Sequence, residues 1–184
     1  MSMKIKRNNY TGTWKSISGK PYITVSSKGI SNGLSTIPND GADFGPDTTL
    51  GATSPNQIGE PYTTSYGIQE ACSYALSHPY YNEQKSSIPP TVVLKDGSYI
   101  ITQPFTISSG TKENVNFKLT GMNSTGTWIY SQHNSGYTIT IDPNSFRASN
   151  IEIDNIQPIV PSGYTPEGFL NMDFSSINTG TNVF

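Results

Sequence analysis

Residues Pro89 to Met122 constrain the fold more than any other stretch of this chain. They read PPTVVLKDGSYIITQPFTISSGTKENVNFKLTGM: three short apolar runs, Thr91–Leu94, Tyr99–Ile107 and Val115–Leu119, broken at Asp96-Gly97 and Ser109-Gly110. β-Branched and aromatic side chains fill the runs, and these pack well on a pleated surface; the breaks carry residues that turn the chain easily. Strands are therefore expected. Each is too short to bury a core alone, so their close succession predicts one sheet-forming unit wound over another. Gly97 is expected to make its turn at positive φ, which a residue without Cβ adopts freely.

Further strands are expected at Trp128–Ser131, Tyr137–Asp142, Ser149–Ile153 and Phe169–Phe174, with turn residues between them. Asn114-Val115-Asn116-Phe117 and Asn150-Ile151-Glu152-Ile153 share one phase and stand 36 residues apart, Asn114 to Asn150. A fixed period with turn punctuation is the signature of stacked coils. One helix is expected over Thr63–Pro79. Ile68, Cys72, Ala75 and Leu76 recur there at near-helical spacing, Thr64 or Ser65 can cap the start, Gly67 weakens the first turn, and His78-Pro79 ends it. Its narrow apolar face suits a helix laid across the end of a sheet. Residues 1–38 read as an extended arm or one or two edge strands, with Tyr10, Trp14 and Tyr22 as apolar bulk. Residues 39–184 read as the main domain: a capping loop and helix over 39–80, then coils over 91–184.

Composition narrows the class. A chain of 184 residues can bury a sizeable core. Only 13 % of it is charged, against about 25 % in ordinary domains, and Ser, Thr, Asn, Gly and Pro fill the difference. Disordered chains combine low hydrophobicity with high net charge and few aromatics. Here the net charge is −2, with 11 Tyr, 7 Phe and 2 Trp, so a turn-rich all-β protein with a neutral polar surface fits better. Nucleic-acid binding needs a basic stripe; the one basic cluster, Lys4, Lys6 and Arg7, reads as a solvated tail. Cys72 is the sole cysteine, which excludes an intrachain disulfide and reads as a small buried hydrophobe. The sequence has no run of about 18 apolar residues that would span a membrane. The basic start is not followed by an apolar segment, so no secretory signal is visible. An extracellular, cell-surface or virion location is expected, reached after removal of a signal or by display on a particle.

The order of elements resembles the first coils of pectate-lyase-like right-handed parallel β-helix proteins. The residues that carry the likeness are the loop Asn39-Asp40-Gly41-Ala42-Asp43-Phe44-Gly45, the helix core Ile68-Gln69-Glu70-Ala71, the coil Thr91-Val92-Val93-Leu94 with Gly97 and Tyr99, and the next coil Val115–Gly121. The likeness runs from about Asn39 to Ile156. It implies an all-β fold: a short right-handed parallel β-helix with one N-terminal capping helix and an extended N-terminal arm. Two departures bear on function. This chain offers roughly three coils, leaving a lower edge near Phe174–Phe184 to be covered by a partner copy, by further chain or by its own tail. The catalytic positions of such lyases and glycosidases lie in later coils, and none is recognisable here.

Candidate chemistry is sparse. Glu152 and Asp154 stand two apart on one strand face, about 6.5 Å from each other, within the span of about 5–10 Å that glycoside hydrolysis uses; they equally suit ordinary outward polar positions. Asp40, Asp43 and Asp47 can present oxygens to Ca²⁺ or act as turn residues, and the EF-hand spacing is absent. Arg147, near Asp142 and Asp154 in sequence, suits a surface ion pair or a lyase base. His78 and His133 have no visible catalytic partner in sequence. Trp128 and Tyr130 face one side of their strand: inward they are core, the simpler expectation, and outward they form a platform for a sugar ring. Asn9-Tyr10-Thr11 and Asn123-Ser124-Thr125 are glycosylation sequons if the chain is secreted.

The leading expectation is a non-catalytic structural module at a cell or virion surface. It is homo-oligomeric, glycan-binding through Trp128 and Tyr130, and without a cofactor unless Ca²⁺ binds the aspartates. The alternatives are a fragment of a polysaccharide lyase or glycoside hydrolase, and a self-assembling filament subunit.

Overall fold

The structure, a computed structural model, describes residues 22–30, 41–77, 90–108, 117–142 and 151–172. Within them lie the strands β1 Ile23–Val25, β2 Thr91–Leu94, β3 Gly97–Ile101, β4 Phe105–Ile107, β5 Phe117–Gly121, β6 Thr127–Ser131, β7 Tyr137–Ile141, β8 Ile151–Asp154, β9 Gln157–Ile159 and β10 Gly168–Met172, and the helix α1 Ile68–Ser77. The fold is mostly strand, and the strands pair in parallel. Three sheets result, ordered β1-β2-β5-β8, β3-β6-β9 and β10-β7-β4. From β2 onward the chain visits the three sheets in turn and then begins again, so each circuit adds one strand to every sheet. Parallel neighbours cannot be joined by a tight hairpin; the other two strands of each circuit make the connection.

Alternation along each strand supplies the core. In the first sheet Val92, Leu119 and Ile153 stand in register as one inward row; in the second Tyr99 and Ile129 do the same, and Pro158, next in register, is exposed. The third contributes Phe105 and Ile139, with Ile107 and Ile141 beside them, all four buried. Val92, Leu119, Tyr99, Ile129 and Ile139 are fully buried. The Tyr99 hydroxyl donates toward the carbonyls of Lys95 (2.6 Å) and Val25 (2.9 Å), so the deepest phenol in the core does not lack a partner.

The circuits begin beneath α1, which packs against β1, β2 and β4 and buries Ile68, Ala71, Cys72, Ala75 and Leu76. The expected helix is shorter than its sequence pattern, running Ile68–Ser77. Tyr66 and Gly67 just before it have φ of 55° and 81°, outside helical geometry. Gly67 thus precedes the helix instead of weakening its first turn. A Cβ there would stand 2.8 Å from Gly45 N and 2.9 Å from Gly45 O, so the close backbone contact also requires glycine. Ser65 caps the helix as expected, its Oγ accepting from Gln69 N at 3.1 Å. His78 and Pro79 lie outside the described residues.

Other expectations change in detail. Tyr99–Ile107 is two strands, β3 and β4, in different sheets, because the chain turns a corner at residues 102–104. Strand β9, with proline at its centre, carries no sequence signal that would have found it. The repeat is offset: Phe117 pairs with Ile151, 34 residues on, and not with Ile153. A two-residue slip leaves every side chain on its predicted face, so period-2 reasoning finds the face and misses the register. In the arm, β1 pairs with β2. Backbone hydrogen bonds Asp43 N to Thr24 O (3.0 Å) and Ser26 N to Phe44 O (3.0 Å) join this segment to the capping loop. Gly97 takes positive φ, 152°, as expected, and a Cβ on it would stand 1.9 Å from Ser27 Oγ.

The last circuit differs from the two before it. Leu170 and Met172 continue rows whose inner members, Ile139 and Ile141, are buried, yet each is 41 % exposed. The stretch Phe174–Phe184 lies outside the described residues.

Candidate functional site

In β6, Thr127, Ile129 and Ser131 are buried, which turns Trp128 and Tyr130 to the outer face, where both are half-buried. The inward placement is therefore not the one adopted. Ile129 stands in register with the fully buried Tyr99, and that inner row sets the phase of the strand. Stacking then builds an outer surface in two rows. Ser98, Trp128 and Gln157 form one; Ile100, Tyr130 and Ile159 form the other. Neighbouring strands are about 4.8 Å apart, so each aromatic ring is flanked by the side chains above and below it. The turn before β6 secures the indole, whose Nε1 donates to Thr125 O at 3.0 Å. Gln157 Nε2 donates to Ser124 O in the same turn at 2.7 Å. Asn123 Oδ1 in turn accepts from Thr125 N (3.0 Å) and Thr125 Oγ1 (2.9 Å), so the second sequon is part of this support; Asn9 lies outside the described residues. Ser98, Ile100, Gln157 and Ile159 escape sequence reasoning, because only the register between circuits places them beside Trp128 and Tyr130.

The outer face of the first sheet carries the paired carboxylates. Lys118, opposite Glu152 in register, donates to Glu152 Oε1 at 2.6 Å and to Asp154 Oδ2 at 3.0 Å. Hydrogen bonds from both carboxylates hold the lysine above its usual pKa. Burial works to raise the Asp154 carboxyl, but Thr120 and Lys118 beside it outweigh burial and leave it below the usual aspartate range. Asp154 Oδ1 is buried with no hydrogen bond of ordinary geometry. Arg147 lies outside the described residues.

These shifts fix the direction of a pH effect. Asp154, held low, adds stability above the ordinary aspartate range and loses it as pH falls through its own depressed value; Lys118, held high, adds stability that is lost as pH rises through its raised value. All three side chains are partly solvated, so the cluster is worth under about 1 kcal/mol. Lys118→Met is expected to cost that much at neutral pH and less once the pH falls below the depressed value of Asp154. Urea unfolding of the two proteins across that range checks it; a constant difference would remove the ion pair from the account.

The acids of the capping loop serve the backbone. Asp43 is buried, and its Oδ2 accepts from Thr24 N (2.8 Å) and Thr24 Oγ1 (2.7 Å). Asp47 accepts from Ile30 N through Oδ1 (2.8 Å) and Oδ2 (2.9 Å). Asp40 lies outside the described residues. Among the described residues no three His, Cys, Asp or Glu side chains converge as metal ligands would. Glu70, which sequence reasoning passed over, is the other buried acid: Oε1 accepts from Gly51 N (3.1 Å), and Oε2 from Thr63 Oγ1 (2.8 Å) and Ser65 Oγ (3.2 Å). Its neighbour Cys72 is buried, and burial followed by the Glu70 charge pushes its thiol up, which keeps it protonated.

His133 is buried with a polar network around it. Nδ1 lies 3.0 Å from Ser135 O and Nε2 3.1 Å from Thr138 Oγ1, which is 2.6 Å from Ser131 Oγ. A carbonyl beside Nδ1 accepts a proton and gives none, so Nδ1 carries hydrogen and Nε2 accepts from Thr138 in the neutral ring. The Thr138 hydroxyl also lies 3.4 Å from Gly168 O, at the start of β10. Ser131 is buried in the core, so the Ser-Thr-His chain faces no solvent and works as a structural staple.

No helix among the described residues is long and apolar enough to cross a membrane. A scan against protein-family models, a search of curated proteins and a search of solved structures each find no match to this chain.

Proposed function

We propose that this chain is a non-catalytic surface module, at a cell or virion surface, that binds glycan on the outer face of β3-β6-β9. The observation that carries the reading is the outward pair Trp128 and Tyr130, set in rows of uncharged neighbours, with the indole held by the Thr125 carbonyl and Gln157 beside it by the Ser124 carbonyl. One face of a sugar ring is lined with C–H bonds and packs on an aromatic ring, while amides and hydroxyls at the rim meet its hydroxyl groups. The architecture we propose beneath this face is a short right-handed parallel β-helix of the pectate-lyase-like kind. Support comes from the order in which the sheets take their strands, and from the near-universal right hand of connections between parallel strands of one sheet. The non-catalytic part rests on Lys118. An acid/base pair needs one protonated and one ionised carboxyl flanking the substrate, whereas here one ammonium bridges both.

Glycan-array binding, followed by titration of the best ligand, tests this. Trp128→Ala and Tyr130→Ala are each expected to weaken binding at least tenfold, which is about 1.4 kcal/mol, with the circular-dichroism spectrum unchanged. An array with no binder, or variants that bind like the parent, would remove the platform. Release of new reducing ends or unsaturated ends from the bound polysaccharide would favour a lyase or hydrolase fragment instead.

A second reading concerns assembly, and the exposed ends of the inner rows at Leu170 and Met172 favour it. Exposed apolar residues at the end of these rows, beside strands that pair on one side only among the described residues, favour association of copies through that end. Light scattering over a micromolar dilution series is expected to show a homo-oligomer, and Leu170→Glu with Met172→Glu to give a monomer. A parent protein that is monomeric throughout would end this reading.

A further inference from the structure

We infer that the Trp128–Tyr130 face selects uncharged glycans and rejects acidic ones, an inference that rests on the glycan-binding reading above. The six outer positions of this sheet are Ser98, Ile100, Trp128, Tyr130, Gln157 and Ile159, with no lysine, arginine, histidine, aspartate or glutamate among them. The described residues include three lysines, and none falls on these rows. Lys118 is on the first sheet and is held by Glu152 and Asp154. Lys28 follows β1, near the start of the circuits. Lys95 is in the turn between β2 and β3, next to Asp96. Asp96 reaches the edge of the platform: its carboxyl carbon lies 2.7 Å from where a Cβ on Gly126 would stand, two residues before Trp128. That edge thus offers a carboxylate.

The consequence is physical. A uronate, sialate or sulfate that settles on these rows sheds water and finds no cation on their six outer positions to replace it, and the unpaired charge counts against binding. A neutral pyranose loses little, because its ring stacks and its hydroxyls meet Ser98 and Gln157. Discrimination here comes from what is missing at the rim.

The test uses matched oligosaccharides on the whole chain: hexamers of glucose, mannose and galactose against hexamers of glucuronic and galacturonic acid, by calorimetry. At least one neutral hexamer is expected to bind tenfold or more tighter than its acidic counterpart, about 1.4 kcal/mol. Its affinity should not change with added salt, since screening has no ion pair to weaken. Ser98 is exposed and in register with Trp128. Ser98→Lys therefore supplies the missing cation and is expected to narrow the ratio, in a salt-dependent way. Acidic hexamers that bind as well as neutral ones, with binding lost in Trp128→Ala, would overturn the selectivity and leave the platform standing. No hexamer bound, or binding indifferent to Trp128→Ala and Tyr130→Ala together, would overturn the platform and the selectivity with it. A Ser98→Lys ratio equal to the parent's would count against the missing cation as the cause.

Discussion

Gly121→Ala is expected to lower stability by about 3 kcal/mol or more, read as a large drop in the urea midpoint. Gly121 ends β5, where the chain leaves the first sheet, and it stands in register with the buried Leu94. A Cβ at this position would lie 2.1 Å from Asn155 O, 2.7 Å from Thr127 Oγ1 and 2.8 Å from Thr127 Cβ. The nearest of these atoms is backbone of the next circuit, and Thr127 is fully buried. Neither can swing aside as the tip of a long side chain would. Making room means separating two stacked circuits at a corner, with loss of the parallel hydrogen bonds between β5 and β8. Gly163→Ala is the comparison. Its φ is 93°, and a Cβ there meets nothing within 4 Å, so only the backbone conformation resists the change. That costs about 1–2 kcal/mol. If Gly121→Ala proves as mild as Gly163→Ala, the corner of β5 does not pack against Asn155 as described.

Leu119→Ala is expected to cost about 3 kcal/mol, within the range of about 2–5 kcal/mol for a truncated core leucine. Leu119 is fully buried between Val92 of the circuit before and Ile153 of the circuit after. The cavity would have strands on both sides of its row, each held by its own hydrogen bonds, so collapse into the space is restricted. Leu170→Ala provides the contrast from the same kind of inward row. Leu170 has Ile139 on one side and is 41 % exposed, so its truncation is expected to cost under about 1.5 kcal/mol. The two variants separate stacked rows from a generic apolar interior. Equal losses would mean that Leu119 does not lie between circuits.

Much of the local structure was open to reading in the residues. Phe117 and Leu119 alternate with polar neighbours, which gives a strand and its inner face, and the β-branched run Thr91–Leu94 gives another strand. Ile68, Cys72, Ala75 and Leu76 give the helix, and burial of all four agrees with their spacing. Asp96-Gly97 gives a turn, because few residues other than glycine accept its φ. Charge composition gives a neutral outer surface. These properties are set by a residue and its near neighbours, over distances that sequence spacing measures directly.

The candidate site was only half legible for the same reason. Trp128 and Tyr130 could be placed on one face of one strand, but which face depends on Ile129 meeting Tyr99 in the preceding circuit. The four neighbours that complete the two rows come from β3 and β9, about 30 residues away on either side. Asp43 and Asp47 show the opposite outcome. In sequence they suit either turns or a cation; folded, Asp43 Oδ2 accepts from Thr24 and both Asp47 oxygens from Ile30, groups no local pattern connects to them. Spacing along the chain thus determined the strands, the helix and the turns, and composition the sparse charge. Register between circuits decided which aromatic rings face water, which acids are occupied and which glycines cannot change, because hydrogen bonds between distant strands, and the side-chain rows they align, exist only after the chain has closed on itself.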